Sequence, residues 1–386
     1  TVMGEPKGAV ELTAQPDMIK FTPDGNYVLT ANEGEMSEES AENDPEGTIG
    51  LIDLTGGIDT LDQSDVTILD FKAYGMEAPA GARIGVPGVS FAVDAEPEYI
   101  AVSGDSMTAW VAMQEQSAIA IVDIASKSLK DVVGMGYKDH SAEGNGLDAS
   151  NRDGGINIQT WPVLGMYHPD SIYAYEVGGA TYIVTANEGD SRDWDGFSEE
   201  ERVKDLTLDP TVFPNAEELQ MDENLGRLKT TTSNGDTDGD GDFDEIYSYG
   251  ARSFSVLSAT GEMLWDSGDD FEQITAQRIP ENFNSTNDEN GSFDDRSDDK
   301  GPEPEAITVG TAFGTPYVFI GLERVGGIMI YDFSTPTAPA FVDYITTRDF
   351  AGNAEEGTAG DLAPEGFAFI PADQSPNGQP LLVTGN

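Results

Sequence analysis

Acidic residues recur at fixed places in this 386-residue sequence. Asp17, Glu98, Asp170, Glu305 and Glu365 each follow a proline, and Glu33, Glu115, Glu188 and Glu323 come 16, 17, 18 and 18 residues after the first four. Carboxylates that a fold gathers in one place are ligands for a hard cation. At about 6 Å apart, two bare carboxylates repel by roughly 3 kcal/mol at an effective dielectric near 20, and a bound cation removes that cost. Oxygen-only ligation favours calcium or magnesium over zinc or copper, and calcium accepts irregular shells of about six to eight oxygens. The alternative is that these acids cap strand starts or hydrogen-bond a neighbouring unit.

A separate signal is "NGDTDGDGDFDE" at 234–245. With Asn234 as position 1, Asp236, Asp238, Asp240 and Asp242 fall at positions 3, 5, 7 and 9, Gly239 at 6 and Glu245 at 12, the spacing of an EF-hand calcium loop. Gly241 stands where an apolar residue is usual, and flanking helices are not evident; an acidic flexible loop is the alternative. Basic candidates stand out because they are scarce. Arg192, Arg252, Lys300 and Arg324 lie beside the repeated acids or their insertions, where calcium plus a guanidinium could hold a phosphate, although ordinary salt bridges account for any one of them. The histidines are His140 and His168; His168 precedes Pro169-Asp170, and a lone histidine there is more often structural than catalytic.

The elements that must position these residues follow from a repeat. "QPDMIKFTPDGNYVLTANEG" (15–34), "EPEYIAVSGDSMTAWVAMQEQ" (96–116), "HPDSIYAYEVGGATYIVTANEG" (168–189) and "EPEAITVGTAFGTPYVFIGLER" (303–324) share Pro-acid, a β-type run, a turn and a second β-type run, and "APEGFAFIPADQSPNGQPLLVTGN" (363–386) begins a fifth copy. TANEG occurs in two of them. A third apolar run follows at 48–54, 117–124, 252–258 and 326–333, and a fourth at 66–71, 261–266 and 340–345. Four antiparallel strands per repeat make the blade of a β-propeller, an all-β fold whose first strands line a central channel. One residue position per repeat then becomes a ring around the axis: the five Pro-following acids form one tier and the four later glutamates a second. Residues 1–386 are expected as a single domain carrying long loops and short helices. The largest insertion is 190–251, where Ser198 and Glu201 suggest a capping box and Asn215 a second helix start; 36–47 and 282–302 are smaller polar insertions.

Asp plus Glu total 72 against 19 Lys plus Arg, a formal charge of −53. Nucleic acid and anionic membrane surfaces are repelled by such a chain, and cations are its natural partners; the charge also serves as a solvation device in salty surroundings. Cysteine is absent, which excludes disulfides and thiolate metal sites, and no apolar run approaches the ~18 residues of a membrane span. A first residue other than Met suggests a processed product or a fragment of a longer chain.

With "QPDMIKFTPDGNYVLTANEGE", "HPDSI", "VTANEGDSRDW", "DGDGDFDEIYSYGARSFSV" and "RSDDKGPEPEAI" laid out, nearly the whole sequence resembles the choice-of-anchor I family of bacterial surface proteins. The resemblance implies a secreted propeller of seven blades held at the cell surface by a C-terminal anchor. About five blades are visible here. Either blades lie beyond this sequence at both ends, the favoured reading, or residues 1–12 complete the last blade of a smaller ring. The family is also distantly similar to calcium-dependent phosphatase and phytase propellers. Two functions are therefore expected to compete: a calcium-binding surface or assembly module that meets other surface proteins, and a calcium-dependent phosphoesterase acting on a phosphorylated small molecule.

Overall fold

The computed structural model describes residues 7–36, 44–194 and 196–386. Most of the polar insertion expected at 36–47, namely 37–43, lies outside the described residues, as do 1–6.

Each repeat folds as one antiparallel sheet in chain order. The first comprises β1 (Pro16–Phe21), β2 (Tyr27–Asn32), β3 (Thr48–Asp53) and β4 (Val66–Asp70), and the second β5 (Pro97–Val102), β6 (Thr108–Met113), β7 (Ala118–Asp123) and β8 (Ser128–Gly134). Short strands β9 (Tyr137–Asp139) and β10 (Leu164–Met166) precede the third sheet, which opens with β11 (Pro169–Val177) and β12 (Ala180–Asn187). Within the insertion lie β13 (Asp193–Trp194), β14 (Phe197–Ser198), β15 (Glu200–Arg202), β16 (Lys229–Thr231) and β17 (Tyr247–Ser248), after which β18 (Ser253–Ser258) and β19 (Met263–Asp266) complete the sheet. The fourth is β20 (Pro304–Ala312), β21 (Thr315–Leu322), β22 (Ile328–Asp332) and β23 (Ala340–Ile345), and β24 (Gly366–Ile370) with β25 (Leu381–Gly385) form a two-stranded fifth. First strands β1, β5, β11, β20 and β24 lie side by side in that order. The fold is a β-propeller of four-stranded blades, as the repeat predicts.

Alternation along the strands supplies the packing between blades. In β6, Ala109, Val111 and Met113 join the core shared with the first blade, whereas Trp110 and Ala112 face the third. In β12, Ile183 faces the second blade, and Val184 and Ala186 face the fourth. Successive side chains on a strand point to opposite faces, so the second and third blades are buried on both sides. Phe319 and Phe369 stack at 6.0 Å to join the fourth blade to the fifth.

The register of the first strand positions the acids. Pro16 pairs with Asn32 but Met18 with Ala31, so β1 carries one extra residue there. The same single extra residue separates Pro97 from Ile100, Pro169 from Ile172 and Pro304 from Ile307 against their partners. Proline donates no N–H to the ladder, and a bulge at a strand end re-aims the side chain beside it. Asp17, Glu98, Asp170 and Glu305 all sit at that irregularity.

Three expectations need correction. Ser198 and Glu201 form no capping box: they belong to β14 and β15, β15 pairs with β16, and only a one-turn 3₁₀ segment follows at Val203–Asp205. Helical winding gives way to a strand pair that seats Val203 and Leu206 in the insertion's own core with Leu208, Phe213, Leu219 and Ile246. The short helix α2 (Ala216–Leu219) does begin after Asn215, following α1 (Phe91–Asp94) and preceding α3 (Asp270–Arg278). Second, the stretch between β8 and β11 is itself a long insertion, and its Leu147, Ala149, Trp161 and Val163 complete that same core. Third, residues 7–12 add no strand to the last blade but run beside the first: Glu11 exchanges two hydrogen bonds with the Gln63 side chain, and Lys7 pairs with Asp59.

Candidate functional site: an acid-lined cavity at one end of the first strands

A cavity of about 290 Å³ opens where the bulged ends of the first strands meet the ends of the second strands. Asp17, Glu98, Asp170 and Glu305 from the first tier and Glu33, Glu115 and Glu188 from the second line it. Glu323 stands beside them: Glu188, Glu305 and Glu323 each offer an oxygen within 4.8 Å of the other two. Glu365 on the exposed fifth blade is near enough that its charge acts on Glu305. The sequence reading missed Glu35, Glu96, Gln114, Asp190, Ser191 and Trp194, which complete the wall. One signal was available for Glu96: it occupies the residue before the repeated proline, as do His168 and Glu303. That place holds Gln15 and Ala363 in other copies, so it carries no constant residue type.

Burial dominates the electrostatics. It pushes Glu305 up to about 10, with Glu188 and Asp170 adding to the effect, and Glu33 up to about 8, with Glu115 and Glu35 adding. Glu323 is pushed up to about 7, and Asp17, Glu98, Asp170, Glu96, Glu115 and Glu188 are all raised by burial first. A carboxyl that resists ionisation in this way takes up either a proton or a cation.

Three basic side chains partly offset the acids. Arg192 Nη2 lies 2.9 Å from Glu96 Oε2 and donates to the Asp94 carbonyl at 2.6 Å, while its guanidinium lies 5.6 Å from the Trp194 ring. Among the described residues its buried Nε and Nη1 make no hydrogen bond, although they lie 3.9 Å from Asp94 Oδ1 and 3.7 Å from Glu115 Oε2. Lys300 reaches Glu188 at 3.1 Å and Glu303 at 3.2 Å; burial alone would lower its pKa, but these carboxylates raise it well above the usual lysine range. Arg324 pairs with Glu303 and Glu323.

Two catalytic candidates are placed elsewhere. His168 is fully buried, its Nδ1 accepts the Asp190 N–H at 3.2 Å, and burial drives its pKa well below the usual histidine value, so it is a neutral prop for the Asp190 backbone. Arg252 is spent on the Asp148, Ser297 and Asp299 carbonyls and on Glu272, and is not part of the cavity wall. His140 is likewise buried, with Nδ1 against the Asn145 carbonyl at 2.7 Å.

A family model, the choice-of-anchor I domain, matches residues 2–336. The chain belongs to the choice-of-anchor I family. This choice-of-anchor I domain is similar to Gigasin-3a of Magallana gigas, 38% identical over 176 residues that cover 43% of the chain and 62% of that relative. A mesenchyme-specific cell surface glycoprotein of Strongylocentrotus purpuratus is 28% identical over 300 residues, 67% of the chain and 38% of the relative. The domain thus spans less than two thirds of either relative. Among solved structures, a functionally unknown protein from Desulfotomaculum acetoxidans matches 94% of the chain and 62% of its own at 10% identity and a TM-score of 0.41. A putative 6-phosphogluconolactonase from Bacteroides fragilis matches 96% and 76% at 12% identity and a TM-score of 0.33.

In the Asp-rich loop of this choice-of-anchor I domain the acids gather in an order the linear spacing does not give. Asp236 and Asp238 meet Asp244, and Asp242 and Asp244 meet Asp209, which a bridge between Leu208 and Phe243 brings alongside. Asp240 accepts the Asp242 N–H at 3.1 Å, Glu245 accepts the Tyr247 hydroxyl at 2.5 Å, and Asn234 Oδ1 is buried without a partner. The loop runs from β16 to β17, with no helix on either side.

Proposed function

We propose that this domain is a calcium-binding module of a cell-surface or extracellular protein, with the cation held in the carboxylate cavity. The observation that carries the reading is the convergence of Glu188, Glu305 and Glu323 at the edge of a pocket whose walls are mostly acidic. Those residues fit a hard cation: they are all oxygen donors, they come from two blades, and burial makes their bare ionised forms costly. Calcium suits the irregular set better than magnesium, which demands near-octahedral order. The name of the Strongylocentrotus purpuratus relative supports a surface location, and neither curated relative supports a bacterial source. No helix among the described residues is long and apolar enough to cross a membrane. Calorimetric titration with calcium tests the reading: binding that Glu188→Gln plus Glu305→Gln weakens is expected, and no heat with an unchanged melting temperature overturns it.

A second reading is favoured by one observation, the Nε and Nη1 of Arg192 at the cavity wall, which among the described residues donate no hydrogen bond and face Asp94 and Glu115 only at ion-pair distance. A guanidinium beside a calcium site can hold a phosphoryl group, and a bound divalent cation supplies a Lewis acid and lowers the pKa of a water. Arg192 would orient the anion, and Lys300 would balance the added charge. Turnover of p-nitrophenyl phosphate or bis(p-nitrophenyl) phosphate that needs calcium and falls in Arg192→Ala is the expected result; no turnover above the Glu188→Gln, Glu305→Gln variant dismisses it.

A further inference from the structure

A second group of acids gathers away from the cavity, where three outer segments meet: the loop 148–157 between β9 and β10, the helix α3, and the loop 283–297 leading to β20. Asp148, Glu272 and Asp294 are buried. Glu272 Oε2 accepts the Asp148 N–H at 2.8 Å. The Asn284 amide reaches Glu272 Oε1 at 3.2 Å and Ser297 Oγ at 2.9 Å, and Ser297 in turn donates to Asp294 at 2.6 Å. Burial first, and then the surrounding carboxylates, Asp153 among them, hold Asp148 up to about 8 and Asp294 up to about 7. Arg252 balances Glu272 at 2.5 Å, but among the described residues no basic side chain pairs with Asp148, Asp153 or Asp294.

The unpaired oxygens decide what the cluster is for. Among the described residues Asn284 Oδ1, Asn151 Oδ1 and Asp153 Oδ2 are all buried and meet no donor, and Asn284 is 0% exposed. A buried acceptor without a donor is costly, and native folds rarely keep one. A cation is the partner that serves acceptors and carboxylates at once. The carboxylates here do not close as a trio to 4.8 Å in the way Glu188, Glu305 and Glu323 do, so amide oxygens are needed to complete the shell. Calcium, with its flexible mix of carboxylate and amide ligands, matches that demand.

We propose that Asp148, Asp153, Asp294, Asn151 and Asn284 form a structural calcium site, separate from the cavity, that ties the 148–157 loop to the 283–297 loop. Hydrogen exchange of the intact chain reads it directly. With calcium, amides of 148–157 are expected to exchange at least ~5-fold more slowly than in EGTA, measured against the amides of β5–β8 as reference, because local opening then requires loss of the ion. Asp153→Ala with Asp294→Ala is expected to abolish that difference and to remove one calcium per chain by plasma mass spectrometry. Glu305→Gln, in the cavity, is expected to leave the exchange difference in 148–157 in place, so that loss of a cavity ion is told apart from loss of this one. The wild-type measurement needs no variant to fold: equal exchange of 148–157 with calcium and with EGTA overturns the proposal. An unchanged calcium count in the folded double variant overturns it too.

Discussion

The cavity and the Asp-rich loop are both acidic, yet the chain builds them in opposite ways. In the cavity, acids from four blades are presented by one device, a bulge after a proline at the start of β1, β5, β11 and β20. In the loop, acids adjacent in sequence are spread over two groups that share Asp244, and one of those groups recruits Asp209 from another segment. Most cavity acids are buried or half-buried, Asp17 and Asp190 being exposed, and Glu33 and Glu305 resist ionisation; in the loop Asp236, Asp238 and Asp240 are exposed and Asp242 and Asp244 half-buried. Repetition across a fold is thus a better guide to convergence than a dense run of the right residues.

That contrast can be tested from its strongest side downward. Arg192→Ala should be the most damaging change, because Asp94, Glu96 and Glu115 then lose their shared guanidinium; a loss of about 3–5 kcal/mol in urea unfolding is expected. Removing two cavity ligands with Glu188→Gln and Glu305→Gln should weaken calcium binding about 100-fold, near 2.7 kcal/mol, in titration calorimetry. Third comes pH. Folded pKa values for Glu323, Glu33 and Glu305 of about 7, 8 and 10 lie above the ordinary 4.5, so their favourable contribution is present below about pH 4.5 and is lost as pH rises through those values. In EGTA the melting temperature should fall by several degrees between pH 5 and 9, and calcium should flatten the slope; a chelated protein that is more stable at pH 9 contradicts the burial argument. The smallest effect belongs to the loop. Asp244→Asn should weaken a calcium step there about tenfold, or 1.4 kcal/mol, and Glu245→Gln should leave it unchanged, the reverse of the EF-hand ranking.

Legibility in the sequence followed the same divide. Strand runs at 48–54, 117–124, 252–258 and 326–333 became the third strands of four blades because apolar runs bounded by turns are buried on both faces in a propeller. The seven repeated acids that line the cavity were legible as a column of the repeat. Glu96 and Glu303 were not, since the place before proline also holds Gln15, His168 and Ala363. Nor was the insertion between β8 and β11, whose Leu147, Ala149, Trp161 and Val163 find their partners only in the later insertion. His168 and Arg252 illustrate a different limit: scarcity drew notice to them, but scarce basic and imidazole groups in so acidic a chain are consumed in holding backbone, His168 by the Asp190 N–H and Arg252 by three carbonyls.

The extra residue in β1, β5, β11 and β20 bears on how such a domain can diversify. Because the acid sits outside the regular ladder, replacing it removes no strand pairing and shifts no neighbour's facing, whereas a one-residue slip within a strand would reverse every side chain beyond it. Each of these four blades therefore contributes to the cavity through a position that can change independently of the other three and of the cores between blades. A lineage could exchange carboxylates for amides, hydroxyls or bases one blade at a time and keep the scaffold, turning a cation holder into a pocket of different taste by a handful of codon changes.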